Sequence, residues 1–396
     1  DYLAIVGDSY ALGLGDWKRK QVEKSFLSSP PFQSTHILYK KTGQDVVTFG
    51  KMGSGSIPSV VEAITIFDYI NSLWAFQLDK PKRILVYFYE GNDIYDNIAD
   101  IFLRFDNNGY DRQLFYNDVY FEKFMSEVFL EKDPLAKKNS LLKNLLFAKV
   151  VSSALTLNWN YLEQKLKFYQ KTVSVPPQKA SICFSVSPKA KSERSSISTK
   201  PRIECRSDLE NLDINRISIG ENEIQLPIST QGPPFVGESL VDKENNVTKD
   251  YFDMAVYIFE QSLLLLQNHF KAVPIVIVYI PSPISIYSIK SPIVIYKHEF
   301  PLNQAFQVPG HVQSGTRDRY TYMKSELIPL KSQEISKRIQ NLAKRHHFQF
   351  LNSRKHLMKA ASTIPVHGPK DWTHFNEAGY KTLSQAIIDF SLKKGS

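Results

Sequence analysis

Tyr2-Leu3-Ala4-Ile5-Val6-Gly7-Asp8-Ser9-Tyr10 is the stretch whose reading decides the fold. Leu3, Ile5 and Val6 form a short apolar run that stops at Gly7, the pattern of a buried parallel strand ending in a turn. Asp8 and Ser9 then fall at the carboxyl end of that strand, where open α/β sheets place their chemistry. Gly7 permits a sharp turn, so that the Ser9 hydroxyl projects from the sheet instead of packing into it. Gly-Asp-Ser alone is three common residues. Whether Ser9 is a nucleophile or a turn serine depends on the rest of the chain.

Working outward, the same rhythm recurs. Asp45–Phe49 reads as a second strand, ending in the glycine-rich run Gly50-Lys51-Met52-Gly53-Ser54-Gly55-Ser56. A helix follows, with Pro58 in its first turn and Val60, Ile64 and Phe67 near one face. Arg83–Tyr89 is a third strand, ending in Glu90-Gly91-Asn92-Asp93. Strand, helix, strand in this order implies a parallel βαβ unit. The rhythm resumes with a helix capped by Thr248, a strand over Val273–Tyr279, a helix capped by Ser332, a strand over His347–Leu351 and a last helix after Asp371-Trp372-Thr373-His374. The expected fold is a three-layer α/β/α flavodoxin-like sandwich with a five-stranded parallel sheet and a large mixed insertion. Its core is expected over residues 1–99 and 250–396.

The insertion is expected over residues 100–249. Its first part, 100–171, is helical and dense in Phe and Tyr from Phe102 to Phe129, with a long amphipathic helix over Leu141–Tyr169. Those aromatics either face a substrate or bury as a lid or core. The second part, 172–249, is rich in Ser, Pro, Lys and Asn, carries a hairpin over Arg216–Leu226, and reads as peripheral. Residues 284–325 read as a long loop.

Composition bounds the function. With 396 residues, 42% of them hydrophobic and 22% charged, the chain can bury a sizeable core. The formal charge of +9 suits acidic partners, but much of the excess lies in polar loops such as Lys189–Lys200, where it needs none. No nucleic-acid-binding motif is present. No apolar run reaches membrane-spanning length, and no signal peptide is present. The chain begins at Asp1, without Met and directly on a core strand, so it reads as a trimmed or mature form from which an N-terminal anchor or export signal would be missing. Its two cysteines, Cys183 and Cys205, share one polar segment and could pair in an oxidising compartment.

In a parallel sheet the loops at Ser9, Gly50–Ser56, Gly91–Asp93 and Asp371–His374 gather at one edge. That edge would hold a serine, a glycine-rich backbone, an amide, and a carboxylate near an imidazole. Ester cleavage by serine needs those parts. A hydroxyl is a poor nucleophile until a base takes its proton, the base needs an acceptor on its other nitrogen, and the oxyanion needs donors in place. His346-His347 has no second ligand pair at useful spacing and reads as a strand start, not a metal site. Gly53-Ser54-Gly55-Ser56 is not a P-loop, because no Lys-Ser/Thr follows.

The four blocks, in this order, resemble those of the SGNH hydrolases, also called GDSL esterases and lipases. The resemblance implies that Ser9 is the nucleophile, that Gly53 and Asn92 join the Ser9 N–H in the oxyanion hole, and that Asp371 and His374 complete the triad. Gly50 and Gly55 are the alternatives to Gly53. Two positions depart from the family pattern: Glu90 stands where its third block usually has Gly, and Thr48 where its second block often has Asn. The α/β-hydrolase fold is the nearest rival, but there several strands precede the nucleophile and the acid lies well upstream of the histidine. The resemblance implies a serine esterase acting on an acyl ester, with a short-chain ester such as an acetyl ester expected, an acylated carbohydrate as a candidate substrate and no metal or organic cofactor. An extracytoplasmic location is favoured. The alternatives are an O-acyltransferase acting on a cell-surface polysaccharide and a non-catalytic carbohydrate-binding protein on the same fold.

Overall fold

The computed structural model describes residues 2–15, 32–73, 77–111, 114–130, 182–186, 202–206, 214–234, 251–298 and 319–392. Strand β1, Tyr2–Val6, is buried at every residue and ends at Gly7 as expected. Helix α1 (Ser9–Leu12) follows at once, then α2 (Ser34–Thr42), β2 (Asp45–Thr48), α3 (Ser56–Ser72) and β3 (Arg83–Tyr89). β1 lies parallel between β2 and β3, with Ile5 opposite Thr48 on one side and Leu85 on the other. Two later strands, β8 (Ile275–Ile280) and β12 (Gln349–Asn352), complete an all-parallel sheet in the order β2-β1-β3-β8-β12. Counting only these five in chain order gives 2-1-3-4-5, the flavodoxin-like order, whose direction reverses between β1 and β3. Ser9 and Asn92 follow the two strands that flank this reversal.

Side chains alternate between two helical layers, as the two-residue period of a strand requires. Ile5, Leu85, Tyr87, Val276 and Val278 share a core with Leu38 of α2 and with Leu383 and Ile387 of α9 (Glu377–Leu392). On the other face, the Phe88 ring lies tilted, 4.8 Å from that of Phe259 of α6 (Tyr251–His269), which packs against α3 and α4 (Asp93–Asn107). Between β12 and α9 stands α8 (Arg354–Ala361), which packs on α9. The layers are therefore α3, α4, α6 and α7 (Leu327–Arg345) on one side and α2, α8 and α9 on the other.

The expected insertion boundaries need correction. The chain divides into one unit of residues 1–124 and 213–396 and a second of 125–212. Residues 100–124 belong with the core because their aromatics are buried. Phe105, Phe115, Phe121 and Phe124 are at most 1% exposed, Phe105 lies 4.2 Å from Phe124, and Phe121 lies 5.3 Å from Tyr257 of α6. These four rings are core. They are not a substrate-facing platform.

The hairpin expected over Arg216–Leu226 is present as β6 (Arg216–Ile219) and β7 (Asn222–Gln225), around Gly220 and Glu221. It is not peripheral. Ile217, Ile219 and Leu226 enter the core, β6 pairs with β9 (Ser288–Ile289), and the Asn215 amide exchanges two hydrogen bonds of 2.6 and 2.7 Å with Ile295. Ile295 lies in β10 (Ile293–His298), which pairs with β11 (Arg319–Lys324), so the region expected as loop carries strands. In the second unit, β4 (Ile182–Val186) and β5 (Arg202–Arg206) form an antiparallel pair that sets Cys183 opposite Cys205 in register. The expected helix over Leu141–Tyr169 and the Thr248 cap lie outside the described residues.

Candidate active site

Gly7 makes the turn beneath the serine. Its φ of +151° and the approach of Tyr87, whose Cβ and carbonyl oxygen would lie 3.1 Å from any added Cβ, leave little room for a side chain. Asp8 caps α1, its Oδ1 accepting the Tyr10 N–H at 2.9 Å. Ser9 is therefore the first residue of a short helix, where a backbone N–H has no partner within the helix.

Across the sheet edge, the segment before α9 brings its own groups to the serine. The Ser9 hydroxyl lies 2.9 Å from His374 Nε2, and His374 Nδ1 lies 2.9 Å from Asp371 Oδ2. A carboxylate only accepts, so Nδ1 carries the ring proton and Nε2 presents a lone pair to the serine. Asp371 Oδ1 also accepts the backbone N–H of Thr373 at 2.9 Å and of His374 at 3.3 Å. Asp371 thus holds both the ring and the backbone of His374. Ser9 Oγ has a second, longer neighbour in Asp8 Oδ2 at 3.2 Å. The three residues that the resemblance names as a triad are joined in one unbroken chain, 365 residues apart in sequence at its widest link.

His367, the other histidine in this region, does not join it. It is fully buried, its Nδ1 lies 3.3 Å from the Tyr287 hydroxyl, its Nε2 has no partner among the described residues, and burial depresses its pKa to about 3.

The oxyanion candidates are placed differently. Asn92 lies near the same group: its Nδ2 donates to Asp96 Oδ2 at 2.9 Å, and its proximity to Asp8 favours the charged form of that carboxyl. Among the described residues its Oδ1 is buried without a partner. Gly53 is exposed, with φ +66° and open space where a side chain would stand. Among the described residues no hydrogen bond joins it to Ser9. Gly50 and Gly55 are close-approach positions instead. A Cβ on Gly50 would meet the Leu12 nitrogen at 2.3 Å, and one on Gly55 would meet Asn97 Oδ1 at 2.7 Å. The Thr48 hydroxyl, at the other departure from the family pattern, donates to the Ala11 carbonyl at 2.7 Å and ties this loop to α1.

Burial pushes the Asp8 carboxyl up, and burial together with the charge of Asp8 pushes Asp93 well above the usual carboxylate range. Asp93 Oδ2 accepts the Tyr89 N–H at 2.7 Å, so this residue fastens the end of β3. A cavity of about 630 Å³ opens at the opposite edge of the sheet, beside Tyr2, His36 and Asp45, and no triad residue lines it.

Two groups of supporting residues carry no local sequence signal. The Glu90 carboxylate is fully buried and accepts from Ser282 at 2.8 Å, Ser285 at 2.6 Å, Tyr279, Ser332 and Arg354. With these partners the buried charge is satisfied, and it stitches the ends of β3 and β8 to α7 (Leu327–Arg345) and α8. Ser332, expected as a helix cap, is instead inside α7, with its hydroxyl on Glu90. The second group is Tyr10, Tyr89 and Gln231. The Tyr10 hydroxyl donates to the Thr373 carbonyl at 2.5 Å, and the Tyr89 hydroxyl donates to Gln231 Oε1 at 2.7 Å.

Among the described residues no helix is long and apolar enough to cross a membrane, and no group of His, Cys, Asp or Glu could hold a metal ion. His346, expected at a strand start, caps the end of α7 and contacts Glu260. No family model matches the chain, and no curated protein matches it.

Proposed function

We propose that the protein is a serine esterase of SGNH type that cleaves an acyl ester, with a short acyl group on a carbohydrate as the candidate substrate. The observation that carries this reading is the hydrogen-bonded chain Asp371–His374–Ser9. Ser9 Oγ attacks the acyl carbon while His374 Nε2 takes the hydroxyl proton. Asp371 orients the ring and stabilises the imidazolium. The oxyanion forms against the Ser9 and Gly53 N–H groups and the Asn92 amide. Collapse breaks the ester bond, and the departing alkoxide takes the proton from His374. Water, activated by the same ring, then releases the acid; a sugar hydroxyl in its place would make the reaction a transfer. By its resemblance the reading also favours action outside the cytoplasm.

Steady-state hydrolysis of nitrophenyl acetate tests it. Wild-type protein turns the ester over and Ser9→Ala does not. Asn92→Ala loses about 10² to 10³ in kcat with little change in KM, because the amide acts on developing charge. Asn97 is a control of a different kind: its amide accepts from Ser56 N–H at 2.6 Å and donates to the Ala255 carbonyl at 3.3 Å, so Asn97→Ala lowers Tm first. Wild-type turnover no faster than buffer contradicts the proposal.

A further inference from the structure

The peptide unit between Thr373 and His374 is held at both ends. Its N–H donates to Asp371 Oδ1 at 3.3 Å, and its carbonyl accepts from the Tyr10 hydroxyl at 2.5 Å. That unit sets the backbone from which the His374 ring projects. Tyr10 directly follows Ser9, so one residue links the nucleophile's helix to the backbone of the base. The Tyr10 ring is fully buried, 4.2 Å from Tyr89, 4.9 Å from Phe375 and 5.4 Å from His374. Tyr89 has one hydroxyl proton. It goes to Gln231 Oε1 at 2.7 Å, while its oxygen stays 3.4 Å from the Thr373 carbonyl. Gln231 is itself buried in the segment that follows β7, and its carbonyl accepts from Ile284 N–H.

We propose that Tyr10 is a positioning residue for the catalytic base, and that Gln231 supports it through Tyr89. The inference rests on the esterase reading above. Tyr10 touches no reacting atom; it fixes the peptide that carries the imidazole. Misplacement of a catalytic group by about 1 Å costs as much as 10²-fold in rate.

Two readouts test it on the full chain, with Tm measured alongside. The first is the second-order rate of fluorophosphonate reaction at Ser9. Tyr10→Phe slows it about 10- to 100-fold, and Gln231→Leu slows it by a smaller factor of about 3 to 10. The second is the low-field proton resonance of His374 Nδ1–H on Asp371, which moves upfield or broadens in both variants. A purely structural role would lower Tm and leave rate and resonance at their wild-type values, and that result overturns the proposal. If wild-type Ser9 is not labelled, the esterase reading fails, and an unchanged resonance in Tyr10→Phe still overturns the positioning role. If Tyr10→Phe does not fold, Gln231→Leu decides by the same two readouts.

Discussion

His374→Ala lowers hydrolysis of a short nitrophenyl ester by about 10⁴-fold or more and leaves the fold intact. The size follows from the geometry. Among the described residues only His374 Nε2 stands 2.9 Å from the serine hydroxyl with its other nitrogen on a carboxylate. Asp8, a longer neighbour of that hydroxyl at 3.2 Å, is already an acceptor for the Tyr10 N–H. His367 cannot substitute: it is buried on Tyr287, no hydrogen bond among the described residues joins it to Ser9, and burial, which lowers its pKa to about 3, makes it a weak proton acceptor. Circular dichroism of His374→Ala is unchanged, since this side chain is partly exposed at the sheet edge. A variant that keeps the rate would show that another group takes the serine proton.

The second large effect is on stability. Replacing residues 214–234 with a Gly-Ser linker abolishes cooperative folding. Ile214, Ile217, Ile219 and Leu226 are each at most 4% exposed. Burial of such a side chain contributes about 1.5 to 3 kcal/mol. Four of them together are comparable with the whole stability of a domain, roughly 5 to 15 kcal/mol. The two bonds between Asn215 and Ile295 are lost with them. A thermal melt followed by circular dichroism checks this; a cooperative transition within a few degrees of wild type would show that the segment is the peripheral attachment its polar composition suggested.

That segment marks where sequence reading stops. The three inner parallel strands were legible because a strand buried on both faces must be apolar throughout, as Tyr2–Val6, Ile84–Tyr89 and Ile275–Ile280 are. Strand starts were less so. The strand expected from Val273 begins at Ile275, because Ala272 adopts φ +67° and Val273 N–H closes a turn on Phe270. The one expected from His347 begins at Gln349, because His347 adopts φ +56° at the end of α7. Local propensity does not announce either turn.

The site divides in the same way. The meeting of Ser9, Asp371 and His374 was legible because the proposed chemistry needs a serine, an imidazole and a carboxylate at one edge of the sheet. The supports were not. Ser332 reads as a helix cap until a carboxylate 242 residues away takes its hydroxyl. Gln231 lies in a polar stretch, and only the fold brings it to Tyr89, 142 residues distant. Glu90 was visible only as a departure from a motif. Its meaning, a buried carboxylate ringed by donors from three other elements, belongs to tertiary structure.

The most direct test of the central claim is labelling of the folded protein with a fluorophosphonate, followed by digestion and mass spectrometry. An activated serine alone attacks such a reagent, so the account predicts a single adduct, on Ser9, absent from denatured protein and from His374→Ala. An adduct on another residue with Ser9 unmodified, or no adduct on the folded chain, would contradict it.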